Sequence, residues 1–263
     1  MKPFKSLKLA LCSAAFLALG SLASLAQAGV SVNYRDGSTP LKGYLAGRNL
    51  DGKRPGVLIV HQWMGLTDYE KGRADQIARE LGYVAFAADI YGVGNLPKDT
   101  KQAGKLAGSF EADRALYDRR VLAGLAELKK RKNVDPDRIA VIGYCFGGAG
   151  AMDMARINAP VAGVVTFHGA LPTTSPAKGP VKPKILVLHG ADDPYVNRDA
   201  VAAFEKEMDA AHADYQVVLY SGTVHAFTQP LSGDDPSKGV AYNAESDHRS
   251  WKAMKDFLAD LFQ

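Results

Sequence analysis

Cysteine is nearly absent: the 263 residues hold only Cys12 and Cys145. Cys12 falls in an N-terminal stretch that reads as a removable leader. Cys145 is then left without an intrachain partner, and a disulfide framework is excluded. No Cys-x-x-Cys pair occurs, which excludes the common zinc ribbons and fingers. Beyond residue 28 no apolar run reaches the roughly 20 residues needed to span a bilayer. Neither sign of charge dominates, with 32 Lys and Arg against 28 Asp and Glu. That balance gives no nucleic-acid-binding surface, and the basic run in "ELKKRK" reads as a solvated helix end. The Gly-x-x-x-x-Gly-Lys-Ser/Thr phosphate loop is missing, and a Gly-x-Gly-x-x-Gly fingerprint cannot be placed in Gly143 to Gly148. No serine stands at the centre of a Gly-x-Ser-x-Gly turn, so a serine esterase is disfavoured.

What is present begins with a leader. Lys2, Lys5 and Lys8 precede a mostly apolar run, broken by Ser13, Gly20, Ser21 and Ser24, that ends in Ala26-Gln27-Ala28. A basic start, an apolar centre and an A-x-A end predict a signal peptide over residues 1–28, cleaved after Ala28. Its loss removes three lysines and no acid, lowering the formal net charge from +4 to +1. The expected product is one domain over 29–263, periplasmic or secreted, monomeric, and not stably membrane-associated once cleaved.

Along that domain, "VSVNYRDGSTPLKGYLAG" alternates about Asp36-Gly37 and predicts an antiparallel strand pair. Apolar strands then alternate with amphipathic helices. The strands are "PGVLIVHQW", "YVAFAADIY", "RIAVIGYC", "VAGVVTFHG", "KILVLHG" and "YQVVLYSG". One long helix is expected over about 111–132, after a loop with Gly92, Gly94 and Pro97. Continuous apolar strands separated by helices predict an α/β fold, a mostly parallel central sheet with helices on both faces.

In such folds chemistry gathers at the carboxyl ends of strands. There "GYCFGG" places Cys145 between Gly143 and Gly147, the nucleophile-elbow pattern with cysteine for serine. The apex faces a helix N-terminus, which favours thiolate over thiol. Asp193 in "ADDPYV" follows the next-but-one strand, 48 residues on, and is preferred to Asp192 because it stands three residues before Val196. His225 in "VHAF" lies 32 residues further, in the loop before the last helix. Nucleophile, acid and histidine follow in that order. Backbone N–H groups of Phe146 and Trp63 are the expected oxyanion donors. His61, His168 and His189 read as structural, His212 and His248 as exposed on helices, and no metal site is expected.

"GYCFGG", "ADDPYV", "VHAF" and "HQWMG", in this order, closely resemble the dienelactone hydrolase family of the α/β-hydrolases, over about residues 32–262. The resemblance implies a Cys145–Asp193–His225 triad that hydrolyses a small ester or enol-lactone substrate without metal or organic cofactor. It also marks departures. Where characterised members carry a glutamate beside the thiol, Gln62 stands here. Val93 and Gln229 occupy the positions of two arginines that grip a substrate carboxylate. The chemistry is therefore expected to transfer better than the substrate. The alternative expectation is a non-catalytic, ligand-binding or thiol-sensing member of the same fold.

Overall fold

A hairpin opens the fold, β1 (Val30–Asp36) pairing with β2 (Thr39–Ala46) across a turn at Gly37 and Ser38. The computed structural model describes residues 28–263. Residues 1–27, which hold nearly all of the expected signal peptide and Cys12, lie outside the described residues. After the hairpin come β3 (Arg54–Val60), β4 (Val84–Ala88), β5 (Val134–Tyr144), β6 (Gly163–Phe167), β7 (Lys184–Gly190) and β8 (Tyr215–Tyr220). They form one sheet in the order β1-β2-β4-β3-β5-β6-β7-β8. From β4 onward every neighbour is parallel, while β2 runs antiparallel to β4 and seals that side with β1.

The strands lack apolar–polar alternation because both of their faces are covered. Leu58, Val60, Phe86, Val141 and Val187 point to one core. It is closed by α3 (Arg114–Lys129), α4 (Phe146–Arg156) and α5 (Arg198–Ala210). Val57, Ile59, Ala85, Ile142 and Leu186, one residue out of phase, point to the other core. That side is closed by α1 (Asp68–Leu81) and α6 (Ala244–Leu261). The period of two thus divides each strand between two apolar layers.

The single helix expected over 111–132 is a correction. The chain forms α2 (Thr100–Ala112) and then α3, broken at Asp113. Asp113 leaves helical geometry at φ −111°, ψ 75°. Its N–H donates to the Ser109 carbonyl at 3.2 Å, and its carboxylate accepts from the Leu116 N–H at 3.0 Å. One residue thus closes one helix and caps the next. Gly104 and Gly108 lower the helical propensity of α2, which is why the stretch reads as loop.

Candidate active site

The elbow follows from the meeting of β5 and α4. Between Tyr144 and Phe146 the chain must reverse from strand to helix within one residue, and Cys145 takes φ 54°, ψ −118° to do so. A non-glycine residue there costs about 1–3 kcal/mol, so the surroundings must over-determine it. They do: the Cys145 N–H donates to the Phe167 carbonyl at 3.0 Å, and the Cys145 carbonyl accepts from Gly148 at 2.9 Å. A Cβ on Gly143 would run into the Gly147 carbonyl, and one on Gly147 into the Val60 carbonyl. The Phe146 ring stacks on Tyr117 with centroids 4.4 Å apart, and the Tyr117 hydroxyl donates to the Phe146 carbonyl at 2.7 Å. The first turn of α4 is thereby pinned, and the Phe146 N–H, at its first position, has no intrahelical acceptor.

Two more strand ends deliver the partners. Asp193, 3 % exposed, accepts at Oδ1 from the Tyr195 and Val196 N–H groups at 2.8 and 3.1 Å. Its Oδ2 accepts from His225 Nδ1 at 2.8 Å, and His225 Nε2 lies 3.3 Å from Cys145 Sγ. His225 is held by its own N–H to the Gly239 carbonyl and by the Ala241 N–H to its carbonyl. The structure therefore brings Cys145, His225 and Asp193 into one hydrogen-bonded chain. Burial alone would lower the His225 pKa, but the bonds to Asp193 and Cys145 outweigh it and push it up to about 10. Burial would raise Asp193; the bond to His225 and the charges of His225 and His189 outweigh it and hold it below the ordinary carboxylate value. His189 braces the same loop through Nε2–H to the Val196 carbonyl at 2.8 Å.

The turn after β3 supplies the opposite wall. Ile90 N–H donates to His61 Nε2 at 3.2 Å, so His61 carries its proton on Nδ1 and donates it to the Gln62 carbonyl at 2.6 Å. The Gly65 N–H also reaches that carbonyl, at 3.0 Å. In a planar trans peptide the next N–H, that of Trp63, then points the other way, away from His61. Glu70, 1 % exposed, ties the turn at both ends. Its Oε1 accepts from the Gln62 N–H at 3.2 Å, and its Oε2 from the Thr67 N–H and hydroxyl at 2.9 and 2.7 Å.

Gln62, Trp63, Cys145, His225 and Gln229 all line one cavity of about 700 Å³. Val93 does not: it lies 52 % exposed on a separate hollow of about 260 Å³. The charged side chains around the Cys145 cavity are Asp68, Glu70 and His225, with neither Lys nor Arg among the described residues that line it.

Two participants were not anticipated. Glu70 was legible only as the end of a capping box, Thr-x-x-Glu, at the start of α1. His168, read from the sequence as structural, enters the site. It sits just after β6 at φ 40°, fully buried, its ring edge-on to His225 with centroids 5.1 Å apart. Single ligand atoms of Cys145, His168 and His225 all lie within 4.8 Å of one another. Burial and the neighbouring His225 charge hold the His168 pKa well below the ordinary imidazole value. A thiol at the wall of a cavity, hydrogen-bonded to an imidazole that a buried carboxylate holds, is an arrangement suited to attack on an electrophilic carbonyl.

The sequence model of the dienelactone hydrolase family matches residues 41–262. A protein named usf from Aquifex pyrophilus is 31 % identical over 217 residues, covering 80 % of this chain and 92 % of that one. A Bradyrhizobium protein named "Probable 2-oxo-3-(5-oxofuran-2-ylidene)propanoate lactonase" is 31 % identical, over 70 % of this chain and 77 % of its own. Among solved structures, a dienelactone hydrolase-like promiscuous phosphotriesterase from metagenomic libraries superposes with a TM-score of 0.84 at 37 % identity. The match covers 89 % of this chain and 98 % of that one. The chain belongs to the dienelactone hydrolase family, with the α/β-hydrolase fold, and is a hydrolase of the ester and lactone class.

Proposed function

We propose that this member of the dienelactone hydrolase family hydrolyses small, electrically neutral esters or lactones through an acyl-cysteine intermediate. The observation that carries the reading is the unbroken chain from Asp193 through His225 to Cys145 at the cavity wall. The bonds to Asp193 and Cys145 that push the His225 pKa up to about 10 favour its protonated form, with Nδ1–H on Asp193 and Nε2–H toward sulfur. Sγ attacks the carbonyl carbon as the thiolate. The oxyanion that forms is met by the Phe146 and Trp63 N–H groups, positions supported by the helix start and by the flipped Gln62 carbonyl. As the intermediate collapses, the C–O bond to the leaving group breaks, and that oxygen takes the Nε2 proton. His225, now neutral, removes a proton from water. The hydroxide carbon bond forms, the C–S bond breaks, and acid and thiolate are regenerated.

The cavity argues for the substrate's charge state. A carboxylate-bearing lactone would meet Asp68 and Glu70 and no cation other than His225. Trp63, Met64, Tyr195, Leu231 and Val240 offer apolar contact instead. A charge-assisted hydrogen bond contributes about 1.5–3 kcal/mol, so the lack of even one such anchor corresponds to roughly ten- to hundred-fold in affinity. With matched leaving groups, kcat/KM for a neutral aryl or enol ester is expected to exceed that for a carboxylate-bearing lactone by about 100-fold or more. A panel of p-nitrophenyl esters and lactones tests this; preference for the anionic lactone would overturn it.

The leader pattern supports a second part of the proposal, that the enzyme works after export. Intact-mass analysis of protein recovered from the periplasm or medium should give a chain beginning at Gly29. Recovery of an unprocessed chain from the cytosol alone would refute it.

A further inference from the structure

We propose that Cys145, His168 and His225 form a binding site for one zinc-class divalent cation, and that its occupancy reversibly silences the hydrolase. The silencing half rests on Cys145 and His225 being the reacting pair; the binding half does not.

One thiolate and two imidazoles are a donor set that zinc takes readily, leaving a fourth position for water. Bond lengths of about 2.0–2.3 Å place the donors of a tetrahedral zinc roughly 3.5 Å apart. Sγ and His225 Nε2 are already at 3.3 Å, and the His168 donor lies within 4.8 Å of both. Binding therefore requires the His168 donor to approach by up to about 1.3 Å, the difference between 4.8 Å and the tetrahedral spacing. His225 is also oriented as a metal ligand should be, because its other nitrogen bonds a buried carboxylate, Asp193.

His168 supplies the independent observation. The hydrolytic steps do not use it, yet it is fully buried in the site. Its Nε2 is 2.9 Å from the Thr228 hydroxyl, while Nδ1 has no hydrogen-bond partner among the described residues. In either tautomer one polar atom of the ring is left unpaired, a costly arrangement away from water. Access is provided by the cavity, which both Cys145 and His225 line. Binding would replace the proton shared by Sγ and Nε2, releasing it to solvent, and form one metal–sulfur and two metal–nitrogen bonds. No electron is transferred, so a chelator reverses the step.

Cobalt(II), a spectroscopic stand-in for zinc, tests binding directly. Titration of the purified protein should give a thiolate-to-cobalt charge-transfer band that saturates at one equivalent. Zinc should abolish that band, and X-ray absorption of the zinc form should show one sulfur and two imidazole nitrogens. His168→Asn should weaken zinc binding at least about ten-fold. Zinc should also stop ester hydrolysis over the same concentration range, with recovery on adding EDTA. A missing charge-transfer band overturns the site, as does a zinc shell with only one imidazole, a readout that needs no variant. Zinc affinity unchanged in a folded His168→Asn protein has the same force. Saturable binding with undiminished turnover would instead overturn the silencing half and the nucleophile assignment together.

Discussion

Cys145→Ala is expected to lower kcat/KM for a neutral activated ester by at least about a thousand-fold, since removing a nucleophile removes the covalent route as a whole. The reason lies in geometry more than in the sulfur's contacts. Sγ lies within reach of the His225 Nε2, at 3.3 Å, and no serine or threonine stands in the Gly-Tyr-Cys-Phe-Gly turn to take its place. The fold should persist, because alanine can occupy the same backbone conformation as cysteine and Cys145 is only half-buried. His225 carries a second signature. Its pKa is pushed up partly by Cys145, so in the variant it should fall back from about 10, visible in a proton NMR titration. Intact mass should show an acyl adduct on the native protein and none on Cys145→Ala. Equal turnover by the two proteins would end the nucleophile assignment.

Gly143→Ala should be the most damaging single methyl group in the molecule. Its Cβ would overlap the backbone of Gly147 and crowd the Gly148 nitrogen, and backbone cannot swing aside as a long side chain can. Overpacking of this kind costs about 3 kcal/mol. For a domain of this size that lowers Tm by roughly 6–12 °C. Gly72→Ala is the contrasting case. Gly72 lies within α1, and a Cβ there meets nothing within 4 Å. Helix propensity then favours alanine by up to about 1 kcal/mol, so Tm should rise by a few degrees. Thermal melts of the two variants decide the matter. A Gly143→Ala protein as stable as the parent would refute the close-approach account of the elbow.

How much of this was readable beforehand follows from the kind of signal each residue leaves. Cys145 leaves a local one, since a sharp strand-to-helix turn demands small neighbours in sequence. Asp193 and His225 leave an ordinal one, each just past a strand. Val196, which marked Asp193 out from Asp192, proves to donate its N–H to that carboxylate at 3.1 Å. His168 leaves neither. It ends a strand as His61 and His189 do, and only the β5–β6 pairing, Tyr144 beside Phe167, brings it next to the elbow. Glu70 signals a helix start, but its second task, holding Gln62, depends on how α1 folds back under the turn. Val93 misleads in the opposite sense. Its place in "DIYGVG" matches a substrate-gripping position of the family, yet here it lines a different hollow. Asp113 escaped because one residue ends one helix and caps the next, and the glycines of α2 make the stretch before it read as loop.

The hydrogen-bonded chain also has a temporal meaning. Its links join residues 80 and 32 positions apart in sequence, and its middle member is carried by a loop that follows the last strand. The elbow itself is local, since β5 and α4 adjoin in sequence, whereas the links to its partners need long loops to be closed. A nascent or partly refolded chain can therefore complete β5 and α4 and expose a thiol that has no imidazole beside it. Only when β8 docks on β7 and the segment at Gly239 and Ala241 clasps His225 does the sulfur gain its partner. On the proposed mechanism, turnover requires β8 and the segment at Gly239 and Ala241 to be in place, so its recovery on refolding reports completion of the chain and not formation of the elbow.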